Sequence, residues 1–142
     1  MYTFARTVDV DAPADRVWAV MHDVERWPEW SDSITSVRQL DPGPLRVGSR
    51  ALIRQPKLRP AEWRVTALDA NRGFTWITTS PGLRVDAHHC IHPLGSRSRV
   101  TLRLEFSGVL GTLVAYVTRG LNARYLDMEA TGLKRRSESA AP

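Results

Sequence analysis

The sequence predicts an α+β domain in which a seven-stranded antiparallel sheet covers one long C-terminal helix. Three observations point to it. Val100, Leu102, Leu104 and Phe106 share one parity while Arg99, Thr101, Arg103 and Glu105 share the other, the pattern of a strand with one wet face. The apolar segments of the middle are separated by "DPGPLRVG", "PKLRP", "DANRG", "SPG" and "PLGSR". These are too short for helical crossovers, so successive strands pair as hairpins. From about Val109 the period changes, and Leu110, Leu113, Val114, Val117, Leu121, Tyr125 and Met128 form a helical stripe, with Leu133 near its continuation, over roughly 25 residues.

In chain order, residues 2–10 form the first strand, with Phe4, Val8 and Val10 on one parity. "DAPADRVWAVM" then starts a short amphipathic helix. Pro13 suits a first helical turn, Asp15 favours the positive end of the dipole, and Ala14, Val17, Trp18 and Met21 recur at helical spacing. A second helical turn covers residues 24–27 and is punctuated by Pro28. Six strands follow, at residues 33–39, 49–55, 61–68, 72–79, 83–92 and 97–106. In the terminal helix Gly108 and Gly111 loosen the start. Gly120 sits inside at about 1 kcal/mol relative to Ala, which marks a close backbone approach or space for a ligand. The organisation is a single domain over residues 1–136, with residues 137–142 a flexible tail.

Composition bounds the function. The 142 residues are 42% hydrophobic and 25% charged, a globular balance with room for one core. Cys90 is the single cysteine, so no internal disulfide forms and a reducing, cytoplasmic setting fits. "MYTFARTVDVDAP" lacks the pattern of a leader, and no apolar run is long enough to span a bilayer. The net charge of +5 comes from dispersed arginines rather than a compact stripe, so no nucleic-acid partner and no stable membrane insertion are expected. No nucleophile elbow, phosphate loop or dinucleotide fingerprint is present, and no cofactor is expected.

The stretch "VDAPADRVWAVMHDVERWPEWSDSITSVRQL" and the later "GLRVDAHHCIHPLGSRSRVTLRLEF" followed by an apolar helix resemble the helix-grip fold of the START-like (SRPBCC) superfamily, in particular its polyketide cyclase/dehydratase and lipid-transport-like members. The resemblance runs from Tyr2 to about Arg135. It implies a curved antiparallel sheet gripping the terminal helix, with a pocket between them. Carried onto this chain it makes Trp18 core packing, Trp27 an anchor of the turn and Trp30 a residue near the pocket rim.

Parity then selects the residues facing such a pocket. Trp63 and Val65 alternate with Glu62 and Arg64, and Phe74 shares a face with Trp76. In "VDAHHCIHP" the set Val85, Ala87, His89 and Ile91 opposes Asp86, His88, Cys90 and His92. With the apolar set inward, His89 becomes the candidate for acid/base chemistry, against the plain alternative of a satisfied core histidine. His88, Cys90 and His92 are of zinc-binding type, but residues at alternate positions of one wet strand do not close a tetrahedral site, and no metal is expected. The candidate ligand contacts are Trp30, Trp63, Trp76, His89, Val117, Leu121 and Tyr125. The expected function is binding of a small hydrophobic or aromatic ligand in an internal cavity, in lipid or polyketide metabolism, by a monomer or homodimer. The alternatives are an aromatase/cyclase-like enzyme acting by positioning and proton transfer, and a protein-interaction module.

Overall fold

The computed structural model describes residues 1–139. Strands β1 (Tyr2–Val10), β2 (Ser36–Gln39), β3 (Arg50–Arg54), β4 (Ala61–Asp69), β5 (Gly73–Ser80), β6 (Leu83–Leu94) and β7 (Arg97–Ser107) form one antiparallel sheet in the order β1-β7-β6-β5-β4-β3-β2. Each hairpin expected from the short connections is present, and β1 closes onto β7 in the register Tyr2↔Phe106 to Val10↔Ser98. Parity decides the two faces. Val85, Ala87, His89 and Ile91 of β6 and Val100, Leu102 and Phe106 of β7 are buried, whereas Arg84, Cys90, His92, Arg99 and Arg103 are exposed.

Helix α1 (Ala14–His22) follows β1 and buries Val17 and Met21. A 3-10 turn, Val24–Glu29, carries Pro28 inside it rather than after it. The turn tolerates the missing donor because its bonds are local: Arg26 N–H donates to Asp23 O, and Trp30 N–H to Trp27 O. Trp27 anchors the turn by donating Nε1–H to Met21 O at 2.9 Å.

The expected single terminal helix is instead two, α2 (Gly111–Val117) and α3 (Arg119–Ser139), joined at Thr118. Thr118 Oγ1 donates to the Val114 carbonyl at 2.6 Å, and Asn122 Nδ2 donates to Thr118 Oγ1 at 2.8 Å. Such bonding of a β-branched hydroxyl to the preceding turn bends helices. The buried face keeps one helical phase across this joint, and it is not the face of the apolar stripe. In α2 the buried positions are Gly111 and Ala115, while Leu113 and Val117 point outward; in α3 they include Asn122, Tyr125, Leu126, Ala130 and Leu133.

Helix α3 packs on β1, β7 and α1. Its close approach comes at Gly132, not at the exposed Gly120, around which a Cβ would meet nothing within 4 Å. A Cβ on Gly132 would stand 1.8 Å from the Trp30 carbonyl oxygen. The helix also runs past Ser137, where fraying was expected. Ser137 is fully buried, and Glu138 accepts from the Asp11 backbone N–H at 2.8 Å and from Lys134 Nζ at 2.6 Å. The rest of the expected tail, residues 140–142, lies outside the described residues. No helix among the described residues is long and apolar enough to cross a membrane.

Candidate functional site

Because α3 leans toward β1 and α1, the inner face of β3 to β6 is left incompletely covered. The result is a cavity of about 690 Å³ between the sheet and the two terminal helices, within the size range of small-molecule sites. Trp27, Trp63, Trp76 and Phe106 supply aromatic walls, and Ile53, Ala87, Leu102 and Leu126 supply aliphatic ones. The sheet parts at one place. Residues 61–63 of β4 pair with β3 but not with β5, whose pairing to β4 stops at Arg64↔Ile77. The exposed lining residues Leu58, Arg59, Pro60, Thr79 and Ser80 lie around this parting, which marks it as the mouth.

Few polar groups face the cavity, and their bonding is uneven. Trp63 is 9% exposed, and its Nε1–H has no hydrogen-bond partner among the described residues. An indole N–H is a donor only and normally finds an acceptor when buried, so this one stands out as unsatisfied. The Tyr125 hydroxyl is spent, donating to the Pro56 carbonyl and tying α3 to the β3–β4 loop.

His89 lies at the inner end, 5% exposed. Its ring stacks on Phe74 at 4.4 Å between centroids, with Trp27 at 5.3 Å and Trp76 at 6.0 Å. Its Nδ1 lies 3.2 Å from the Phe74 carbonyl, which can only accept, so Nδ1 carries a proton. Its Nε2 lies 3.5 Å from Glu129 Oε1. This histidine and this carboxylate stand side by side at the cavity wall. Gly73 helps fix the histidine: β5 runs so close to β6 that a Cβ there would stand 1.8 Å from the His89 carbonyl oxygen.

The structure thus places Trp63, Trp76, His89 and Tyr125 on the cavity, and it excludes three other candidates. Trp30 is buried beneath α3, its carbonyl and ring against Gly132, so it is a packing residue and not a rim. Val117 is 71% exposed, and Leu121 is half-buried without lining the cavity; both lie off the helix face that carries Ala115, Asn122 and Leu126. Trp27, expected as an anchor only, is an anchor that also lines the cavity. Trp18 is half-buried and stacks on His22. Glu129 was missed, although Asn122, Tyr125 and Glu129 recur at helical spacing and so share a face.

On the outer face, His88 meets Asp86 and Glu105 rather than Cys90 and His92, with donor atoms within 4.8 Å of one another. His88 Nε2 is 2.6 Å from Glu105 Oε1, and Nδ1 is 2.9 Å from Thr75 Oγ1. Arg84 binds Asp86 through two nitrogens at 2.8 and 3.2 Å, and Arg103 stands 3.8 Å from Glu105. Both carboxylates therefore already have cationic partners, and a dication would have to displace them.

No curated protein sequence matches this chain. Solved structures do resemble it. TTHA0849 from Thermus thermophilus superposes with a TM-score of 0.78 at 17% identity, covering 99% of this chain and 100% of its own. The Zhui aromatase/cyclase from Streptomyces sp. R1128 does so at 0.75 and 19%, covering 99% and 98%. A START superfamily protein from Mycobacterium smegmatis gives 0.74 and 17%, covering 96% and 99%. At these identities the likeness concerns the fold, which is the helix-grip fold of START-like proteins. The family described as polyketide cyclase / dehydrase and lipid transport matches residues 1–138, and the chain belongs to that family.

Proposed function

We propose that this protein binds a small, largely aromatic or hydrophobic molecule that carries at least one accepting oxygen, held between the β3–β6 face and α3. The observation that supports this most is the orphaned Trp63 Nε1–H on an aromatic-walled cavity. A buried donor without a partner costs about 1–3 kcal/mol, and a guest oxygen would recover that. The family description, which joins polyketide cyclisation with lipid transport, fits a guest of this chemistry, and the lone Cys90 fits a cytoplasmic setting.

The test is native mass spectrometry of freshly purified protein, followed by calorimetric titration of naphthol and of naphthalene. The reading expects saturable binding of naphthol and weaker binding of naphthalene. In Trp63→Phe the preference for naphthol should shrink by about tenfold, the worth of one net hydrogen bond. Absence of any saturable uptake by the wild-type protein would remove the reading.

The His89–Glu129 pair supports a second reading, a ring-closing enzyme of the kind named for the Zhui neighbour. The cavity would hold a poly-carbonyl chain folded so that an enol carbon lies against a carbonyl, which lowers the entropic barrier. Glu129 and His89 would take the proton from the carbon and return it to the new alkoxide oxygen, while Trp63 N–H steadies the enolate oxygen. His89→Ala and Glu129→Gln should then each lower turnover about 10²- to 10⁴-fold while leaving binding within about tenfold. Unchanged turnover in both variants would leave binding alone.

A further inference from the structure

Helix α2 is two-sided in an unusual way. Its inner side carries Gly111, Val114 and Ala115, with Thr118 beyond its end; Val114 and Thr118 line the cavity. Its outer side, which a surface helix ordinarily fills with polar residues, carries Leu113, Tyr116 and Val117, exposed by 61%, 57% and 71%. The spacing of three and four puts them on one stripe, and Val109 and Leu110 extend it backward. Apart from Met1, Val47 and Leu94, every large apolar side chain that stands exposed among the described residues belongs either to this stripe or to Leu58 of the β3–β4 loop. That loop is held to α3 by the Tyr125–Pro56 bond and lines the mouth. The β5–β6 turn joins the same end, with Leu110 N–H donating to Gly82 O at 2.8 Å.

The two segments that form this apolar end carry charge of one sign, with Glu62 of the mouth just beyond them. Residues 106–126 contain no aspartate or glutamate, and neither do residues 42–61. Lys57 and Arg59 stand on the loop. Arg119 stands at the end of α2, its guanidinium 4.1 Å over the Tyr116 ring. An apolar stripe bordered by cations, with no carboxylate in either segment, complements an anionic lipid surface, whose interface takes up both the side chains and the charge. A second copy of this chain, meeting it through the same face, would cover the apolar stripe but would set cation against cation.

We infer that α2 and the β3–β4 loop form a peripheral docking face for anionic lipid bilayers, set at the cavity mouth. Docking of this kind is interfacial and reversible. It needs no spanning segment. It is also independent of whether the cavity holds a guest; only the further step, passage of a guest between bilayer and mouth, rests on the binding function proposed above.

Flotation with vesicles of phosphatidylcholine alone, and of phosphatidylcholine mixed with phosphatidylglycerol, tests this on the full chain. The protein should float with the mixed vesicles and at least about tenfold less with the neutral ones. The double variant Leu113→Asp/Val117→Asp should lose at least about tenfold of that binding, and Arg59→Gln/Arg119→Gln should weaken it and flatten its salt dependence. Since all four residues are exposed, thermal midpoints within a few degrees of wild type are expected and certify folding. Absence of binding to the mixed vesicles would overturn the inference. So would equal binding by the Leu113→Asp/Val117→Asp variant. Sedimentation showing a dimer that this variant dissociates, with no vesicle binding by wild type, would assign the face to a second copy and also overturn it. Naphthol uptake by the same samples reads the cavity separately, so failure of one idea is distinguishable from failure of the other.

Discussion

Trp63 and His89 were legible as inward residues because a strand has a period of two, and one apolar neighbour on either side settles which face is which. Parity could not reveal that the Trp63 N–H lacks an acceptor or that His89 meets a carboxylate, because both depend on what another element brings across the cavity. Glu129 was hidden by its own polarity: a search for an apolar stripe passes over a charged residue that faces inward. Glu129→Leu, which removes the carboxylate beside His89 while filling part of the same space, should keep the fold and lower affinity for naphthol less than Trp63→Phe does. Parallel calorimetric titrations of the two variants check the order.

At the scale of elements, the hairpins followed from connections too short to do anything else, whereas the turn expected over residues 24–27 runs on through Pro28 as a 3-10 turn. The apolar stripe of the terminal helix does not mark its inner face, because Leu110, Leu113 and Val117 stand exposed while Thr118, Asn122 and Glu129 face inward. Val117 and Leu121 were therefore expected on the cavity, although they lie off the helix face that carries Ala115, Asn122 and Leu126. The close approach was placed at Gly120 for a related reason: a glycine signals room, but only the partner element shows which glycine uses it. Gly132→Ala would drive a methyl into the Trp30 carbonyl, and because that neighbour is backbone the loss should be about 3 kcal/mol. Gly120→Ala meets nothing and should stabilise by up to about 1 kcal/mol. Urea midpoints of the two variants measure both signs.

The end of α3 is fastened to β1 by charge. Lys134 donates to Glu138, and the Asp11 N–H donates to the same carboxylate. Together they hold the Glu138 carboxyl below its ordinary value of 4.5. A lowered native value means that the unfolded chain binds the proton first. The contribution is therefore fully present above the ordinary carboxylate range and is lost as pH falls through the lowered native value. Glu138→Gln should be slightly less stable than wild type at neutral pH, and the difference should vanish in acid. Denaturant midpoints at the two pH values show whether it does.

Across the whole molecule, one asymmetry accounts for the cavity. The helix that covers the sheet packs on β1 and α1, and it is held on that side by Gly132 against Trp30, Arg136 bound to Glu29 at 2.7 Å and Glu138 bound to the Asp11 N–H. The opposite half of the inner face, with Trp63 and Trp76, is left to enclose space. A sequence shows which residues face inward but not whether they fill the interior, because filling is set by the tilt of one helix over a sheet. The fold was thus readable nearly throughout, whereas the emptiness was expected only from the family resemblance. The central claim is that this space accepts a guest. Amide chemical shifts recorded during a naphthol titration address it most directly: saturable shifts at Ala87, His89 and Tyr125, with His92 and Arg99 of the outer face unmoved, are expected. Shifts confined to outer-face amides, or none at saturating naphthol, would contradict it.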